Sequence, residues 1–305
     1  MLYISGFTSY TGEKKDILEL KNNPEYNQEI IEDLTTCGEL KSYRMCEKTP
    51  SEMASACVKD FLKKYSLSEN DISYVIYATS TLWNEEFSSR DHISNFLIDS
   101  GLKSSVPIAT FGHGCANFHS ALLLAKSICA SEHKNILIVT TDKAGSQPTR
   151  IISPGVSIAS DGAACALVSG NIKLEKAYSI GSIDIQYGAE LAKLDPDTSR
   201  TEYFEHVAKG VRTSVKNSLA EIHCKPQDIA RVYANHYRKP TIEMFTSLCG
   251  FKEEQLYLDT LANYGHCFAA DPIIMLEHSK PKSSTSLILG TGTQTWASAT
   301  LTYSD

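Results

Sequence analysis

Apolar residues along the first half of the chain follow two alternating patterns. Over residues 50–64 they recur every three to four positions, which is the period of one face of a helix. Residues 72–78 form a short, continuous apolar run, which is typical of a buried strand. The pattern then predicts a helix over 89–100, a strand over 106–111, a helix over 116–130 and strands over 135–142 and 161–170. Strands that alternate with helices indicate an α/β fold.

Two distant stretches, residues 51–81 and 208–238, share one pattern. Each begins as an apolar helix, passes through a polar turn that ends in Asp-Ile, at Asp71 and at Asp228, and continues as a strand. The strands that close the two halves also resemble each other. We therefore predict two copies of one α/β unit, an N-terminal half over 1–170 and a C-terminal half over 171–305. No Gly- or Pro-rich linker separates them, so they are expected to pack as one body.

Composition and charge argue against several classes of protein. The chain has 305 residues, is 42% hydrophobic and carries a net charge of −7, so a nucleic-acid partner is not expected. No apolar run reaches the ~18 residues of a membrane span, and the first residues lack the pattern of a signal peptide. The nine cysteines are odd in number and form no CxxC pair, which favours reduced thiols and a cytoplasmic protein.

One of these cysteines, Cys115, lies between a glycine and an apolar helix in the stretch "FGHGCANFHSALLLAKSICA". Three interpretations are open from this segment alone. The residue could pack in the core, as most buried cysteines do. It could bind a metal with His113 and His119, although no fourth ligand has suitable spacing. It could also be a nucleophile, because the start of a helix favours a thiolate.

The whole chain resembles the thiolase superfamily, and most closely β-ketoacyl-acyl-carrier-protein synthase III. The resemblance depends on several segments in the family's order, which are "GHGCANFHSAL", "SDGAACALV", "ANHYRKP", "NYGHCFAADP" and "GTGTQTWASATL". It implies a duplicated α/β unit in five layers, α-β-α-β-α, and a homodimer or a heterodimer with a homologue. It also implies that a cysteine takes an acyl group from a thioester.

The resemblance assigns a role to each matching residue. Cys115 is the nucleophile, and His113 and His119 become turn and packing residues. His236 stabilises the oxyanion of the donor thioester, and His266 completes a Cys-His-His triad in which two neutral histidines donate hydrogen bonds. The oxyanion of the acyl-cysteine is expected to accept from the N–H groups of Cys115 and Gly292.

His266 departs from the family's pattern, which has an asparagine after the glycine. The expected reaction is a decarboxylative Claisen condensation with a malonyl-type thioester, in fatty-acid-like or specialised biosynthesis. The departure leaves open a transfer of the acyl group to an alcohol or an amine, with His236 or His266 as general base. A third interpretation is a partner subunit without catalytic activity, which the intact triad disfavours.

The expected acyl donors follow from a second set of departures from the family's pattern. The family's tryptophan-containing segment is missing near the N-terminus, and Arg150 is three residues away from the family's adenine-contacting position. Coenzyme A recognition is therefore expected to be weak, and an acyl-carrier-protein thioester becomes the alternative to acyl-CoA. No cofactor and no metal are predicted. Asp161 is predicted to be a turn or capping residue and not a catalytic acid, and residues 83–89 are expected to line part of the acyl tunnel.

Overall fold

A computed structural model describes residues 1–80, 89–145, 150–152, 155–195 and 198–304. The tunnel-lining role predicted for residues 83–89 falls almost entirely outside this described part. The strands are β1 Tyr3–Thr11, β2 Glu13–Asp16, β3 Ser42–Met45, β4 Tyr74–Ala78, β5 Val106–Thr110, β6 Ile136–Asp142, β7 Ile151–Ile152, β8 Ser157–Ile158, β9 Gly162–Ser169, β10 Tyr178–Tyr187, β11 Arg231–Ala234, β12 Ser284–Thr291 and β13 Thr295–Tyr303. The α-helices are α1 Gln28–Thr36, α2 Pro50–Tyr65, α3 Ser89–Ser100, α4 Asn117–Glu132, α5 Arg200–Glu221, α6 Lys239–Ser247 and α7 Asp271–His278.

Nine of the strands form one mixed sheet in the order β11-β12-β13-β10-β1-β9-β6-β4-β5. Its two halves join only where β1 and β10 pair, at Tyr3↔Ser179 and Ile4↔Tyr178. Outward from this junction, β9, β6 and β4 follow β1, and β13, β12 and β11 follow β10 in the same way. The arrangement agrees with the predicted duplication. The exact division at residue 170 stays a prediction.

Helices cover both faces of each half of the sheet. On one side α2 packs on β1, β9 and α3, and on the other side α5 packs on β10 and β13. Between the halves lie α4, which contacts β6 and β10, and α7, which contacts β1 and β11. Alternate strand residues therefore enter different cores, since Ile76 and Ile138 face α4 while Val75 and Val139 face α2. The predicted α/β class and its five layers are confirmed.

The helix boundaries follow from local chemistry. Thr49 caps α2 in a capping box with Glu52, and Pro50 occupies the first helical position, where its missing N–H costs nothing. The helix ends at Ser66, whose φ is +54°. The predicted helices over 50–64 and 89–100 match α2 and α3 within one residue. The predicted strand over 72–78 begins two residues too early, because a 3₁₀ turn ending at Asp71 precedes it.

Candidate active site

Cys115 lies in a single 3₁₀ turn, Gly114–Ala116, which connects the loop after β5 to α4. Gly114 takes a φ of +52°, which a residue without Cβ adopts readily. The Asn117 side chain accepts from the His113 N–H at 3.1 Å and holds the turn. The sequence predicted an α-helix immediately after Cys115. The structure instead begins α4 at Asn117, because the 3₁₀ turn comes first.

Gly292 belongs to the turn between β12 and β13 and lies directly against the Cys115 turn. A Cβ at this glycine would be 2.9 Å from the His113 carbonyl oxygen and 3.5 Å from the Cys115 nitrogen. The Gly292 N–H donates to the Thr295 carbonyl oxygen at 2.7 Å. The Gly292 N–H, which the sequence analysis assigned as an oxyanion donor, therefore already donates a hydrogen bond within the turn. Its catalytic role stays a prediction.

His236 and His266 meet at one buried carboxylate, that of Asp271. His236 follows β11, and its Nδ1 lies 2.8 Å from Asp271 Oδ1. His266 follows the loop after α6, and its Nδ1 lies 2.5 Å from Asp271 Oδ2. All three side chains are at most 3% exposed. The structure thus brings together the two histidines that the sequence selected, with a carboxylate between them.

The pKa values of His266 and Asp271 depend on each other. Burial alone would lower the pKa of His266, but the charges of Asp271 and Cys115 and the hydrogen bond to Asp271 raise its pKa to about 10. Burial alone would raise the pKa of Asp271, yet the two imidazoles hold it well below its usual range. Both shifts favour an imidazolium at His266 that is paired with the Asp271 carboxylate.

Cys115 is the second group, after Asp271, that raises the pKa of His266. The Nε2 atom of His266 is buried and makes no hydrogen bond of ordinary geometry within the residues that the structure describes, although a looser contact with the Cys115 thiol also raises the pKa of His266. Cys115 itself is half-buried. A thiol, an imidazole and a carboxylate in this order can serve as nucleophile, proton carrier and orienting group, and these roles of Cys115, His266 and Asp271 stay a prediction.

His236 is held differently from His266. Its Nε2 lies 2.8 Å from the Thr260 hydroxyl oxygen, so this nitrogen already has a partner. Its ring stacks on Tyr264 with 6.0 Å between ring centres, and the Arg44 guanidinium lies 4.4 Å from the centre of the Tyr264 ring. The two histidines are therefore not equivalent, although the sequence treated them as two similar donors.

Sequence reasoning missed Asp271. The residue opens α7 just before Pro272, where an aspartate is ordinarily a helix-start residue. One signal was available, since an acidic residue in the otherwise apolar run "CFAADPIIML" requires buried partners. Only the fold shows that these partners are the two histidines.

The remaining histidines near Cys115 contact protein groups. His113 Nδ1 lies 2.7 Å from the Ser120 hydroxyl oxygen, and His119 Nε2 lies 3.3 Å from the Ile288 carbonyl oxygen. Burial lowers the pKa of His119 to about 4, so its ring is neutral. These contacts agree with the turn and packing roles that the sequence analysis gave to both residues. In the described ranges, no group of three or more His, Cys, Asp or Glu side chains is arranged to hold a metal ion.

Asp161 and Arg150 form a buried ion pair beside the site. The guanidinium binds both carboxylate oxygens, at 2.9 and 3.1 Å. The same carboxylate accepts from the N–H groups of Cys46 and Ala144. The Arg150 side chain is therefore held in the protein interior, and Asp161 connects three segments of the chain.

The described helices include none that is both long and apolar enough to cross a bilayer.

Solved structures share this fold over nearly the whole chain. The 3-oxoacyl-[acyl-carrier-protein] synthase III from Aquifex aeolicus VF5 superposes with a TM-score of 0.80, at 20% identity, over 99% of this chain and all of the other. The 3-oxoacyl-(acyl carrier protein) synthase III from Pseudomonas aeruginosa PAO1 gives 0.82, at 15% identity, over 100% and 98%. ChlB3, described as an acyltransferase, gives 0.82, at 18% identity, over 99% and 97%.

No family model matches the sequence, and no curated protein matches it. The chain has the thiolase fold of ketosynthase III enzymes, as the sequence predicted. At these identities the likeness establishes the fold, and the reaction has to be argued from the site.

Proposed function

We propose that the protein is a ketosynthase III-like condensing enzyme, which loads an acyl group onto Cys115 and joins it to a malonyl-type thioester with loss of carbon dioxide. The observation that carries the proposal is the pairing of Cys115 with buried His266, whose Nε2 has no hydrogen-bond partner among the described residues. A nucleophile next to a proton carrier, on a fold shared with condensing enzymes, suits thioester chemistry.

In the first half-reaction, the Cys115 thiolate attacks the carbonyl carbon of an acyl thioester. A new carbon–sulfur bond forms, and the carbonyl oxygen becomes an oxyanion that accepts from the Cys115 N–H. The bond to the donor sulfur then breaks, and the departing thiolate takes the proton from His266 Nε2.

In the second half-reaction, a malonyl-type thioester loses its carboxylate as carbon dioxide, and the electron pair passes to the thioester oxygen as an enolate. His266, protonated again from solvent, donates from Nε2 to this oxygen. The enolate carbon attacks the acyl carbonyl, a carbon–carbon bond forms, and Cys115 leaves as a thiolate. A histidine whose pKa is raised to about 10 carries its proton at neutral pH, which suits a donor better than a base.

The proposed donors are acyl-CoA or an acyl carrier protein. Because Arg150 is bound to Asp161, it is not available in this conformation to contact the adenine of coenzyme A. This favours the carrier protein. We further propose a cytoplasmic homodimer. The edge strand β5 supports the dimer, since Val106 at its start and Phe111 just after its end are 51% and 43% exposed.

A second candidate is transfer of the acyl group to an alcohol or an amine. Acylation removes the negative charge of Cys115, which is one of the two charges that raise the pKa of His266. If His266 then loses its proton, its Nε2 can accept one from an incoming hydroxyl or amine. The same residues would then act as nucleophile and general base.

One experiment separates these reactions. The protein is incubated with acyl-CoA and with acyl-carrier-protein thioesters, and intact mass is followed before and after addition of a malonyl thioester. Acylation that is lost in Cys115→Ala but retained in the exposed-cysteine control Cys37→Ala supports the nucleophile. Release of carbon dioxide with discharge of the acyl group supports condensation. An acyl-enzyme that persists with malonyl thioester but discharges to an alcohol or an amine would refute condensation.

A further inference from the structure

We infer that Asp271 is a positioning residue that keeps an N–H on Nδ1 of both active-site histidines, so that donation from Nε2 needs a protonated ring, and that His266, whose Nε2 has no other partner among the described residues, is the one that supplies it. The inference rests on the proposed function for its consequence, since the donated proton is meant for the enolate of the donor. The positions of the ring protons on the two histidines can be measured without any turnover of substrate.

The carboxylate of Asp271 is surrounded by donors. Oδ1 accepts from the Cys267 N–H at 2.8 Å and lies 2.8 Å from His236 Nδ1. Oδ2 accepts from the His236 N–H at 2.9 Å and lies 3.3 Å from Asn235 Nδ2 and 2.5 Å from His266 Nδ1. The side chain is fully buried, so no solvent hydrogen bonds compete with these five contacts.

The chemistry of a carboxylate decides where the imidazole protons are. An ionised carboxylate accepts hydrogen bonds and donates none, so each imidazole that faces it must present an N–H. Both Nδ1 atoms therefore carry a hydrogen. A neutral imidazole has one N–H only, so the Nε2 of a neutral His236 or His266 is an acceptor.

Thr260 agrees with this assignment for His236. Its hydroxyl is 2.8 Å from His236 Nε2 and can donate to a bare ring nitrogen. His236 would become a donor at Nε2 only as a second imidazolium, next to the first and on the same carboxylate. Two cations that share one buried anion are disfavoured by their repulsion.

The consequence is a site with one cationic donor in place of two neutral donors. Three acidic groups face His266, namely Asp271 on α7, Cys115 before α4 and Asp142 at the end of β6. The nearest aromatic groups are Tyr237, with its ring centre 5.0 Å away, and Phe268. Since decarboxylation then requires a protonated His266, its rate falls as the pH rises through the pKa of this residue in the acyl-enzyme. Two neutral donors would show no such fall.

The direct test is nitrogen NMR of protein labelled with ¹⁵N-histidine, with the two residues assigned from His236→Asn and His266→Asn. We expect His236 to show a protonated Nδ1 and an acceptor-type Nε2, and His266 to show two protonated nitrogens at pH 7. A neutral histidine with its proton on Nε2 at either position would overturn the inference. Neither result depends on whether the protein condenses acyl groups, so failure of the proposed function is recognised separately, by carbon dioxide release.

Asp271→Asn supplies a second test. The carboxamide of an asparagine can donate its own N–H to a bare Nδ1, and the imidazole that accepts it then carries its hydrogen on Nε2. We expect the pH midpoint of Cys115 alkylation by iodoacetamide to rise, since the imidazolium partner of the thiolate is lost. The exposed residue Asp259, which directly precedes Thr260 in the chain, supplies the matched control. Asp259→Asn removes the same charge without touching a histidine. An unchanged midpoint in folded Asp271→Asn contradicts the inference.

If Asp271→Asn does not fold, Thr260→Val replaces it. This variant removes only the hydroxyl that faces His236 Nε2. We expect the pH midpoint of Cys115 alkylation to stay nearly the same, with a change of less than about twofold in the proton concentration at the midpoint. The reason is that His266, and not His236, is the cation. A large shift would show that His236 carries the charge and would refute the assignment.

Discussion

Asp142 is a buried carboxyl whose ionisation should oppose folding at neutral pH. It ends β6, is 1% exposed and accepts from the Thr79 hydroxyl and the Ser80 N–H through one oxygen, Oδ1. The other oxygen has no hydrogen-bond partner among the described residues. Burial raises the pKa of this group from 3.8 to about 7. We predict that Asp142→Asn stabilises the protein progressively as the pH increases.

The sign and size follow from linkage. Between pH 3.8 and about 7 the native state binds the Asp142 proton more tightly than the unfolded chain does, so the free energy of unfolding falls as the pH rises through this window. At higher pH than this window, the loss of unfolding free energy stays constant. A shift of about 3 pKa units corresponds to about 4 kcal/mol, of which about 2 to 3 kcal/mol develops between pH 5 and pH 8.

The assay is equilibrium urea unfolding of the wild type and Asp142→Asn at pH 5 and pH 8. Constant differences between an amide and a carboxyl cancel when the stability difference at pH 5 is subtracted from that at pH 8. We expect the variant to gain about 2 to 3 kcal/mol relative to the wild type over this interval. Asp60→Asn, on the exposed face of α2, is the control and should gain little. A stability difference that is the same at both pH values would refute the reasoning.

Three further predictions concern packing and the oxyanion turn. Gly210→Ala places a methyl group 2.0 Å from the Trp296 indole, so it should destabilise the protein by about 1 to 3 kcal/mol in urea unfolding, although alanine favours helices. Gly292→Ala puts a methyl group 2.9 Å from the His113 carbonyl oxygen, and the displaced turn should slow acylation on the order of 10²-fold in a mass-based assay. Arg150→Met leaves a buried carboxylate unpaired and should cost about 3 to 5 kcal/mol of unfolding free energy.

Each of these has an outcome that contradicts it. A Gly210→Ala variant as stable as the wild type would mean that α5 shifts away from the indole at no cost. Normal acylation by Gly292→Ala would show that the turn does not shape the oxyanion site. If Arg150→Met were no less stable than the double variant Arg150→Met/Asp161→Asn, the unpaired carboxylate would not be the cause of the loss.

The fold was largely predictable from the sequence because it depends on periodicity. The helix over residues 89–100 and the apolar strands β4 and β6 are visible in the spacing and length of their apolar runs. The duplicated turn at Asp71 and Asp228 revealed the repeat. Element ends were less exact, because short 3₁₀ turns such as Gly114–Ala116 have no period of their own.

The candidate site was predictable only in part. Its residue types, Cys115, His236 and His266, were selected from the sequence because the motifs that carry them are local. The tertiary structure decided how they act, since hydrogen bonds between residues far apart in the chain leave no local pattern. It put Asp271 between the two histidines, placed the Thr260 hydroxyl against His236 Nε2 and left His266 Nε2 without a hydrogen-bond partner among the described residues. A histidine's role depends on what its two nitrogens face, and that is known only once the chain has folded.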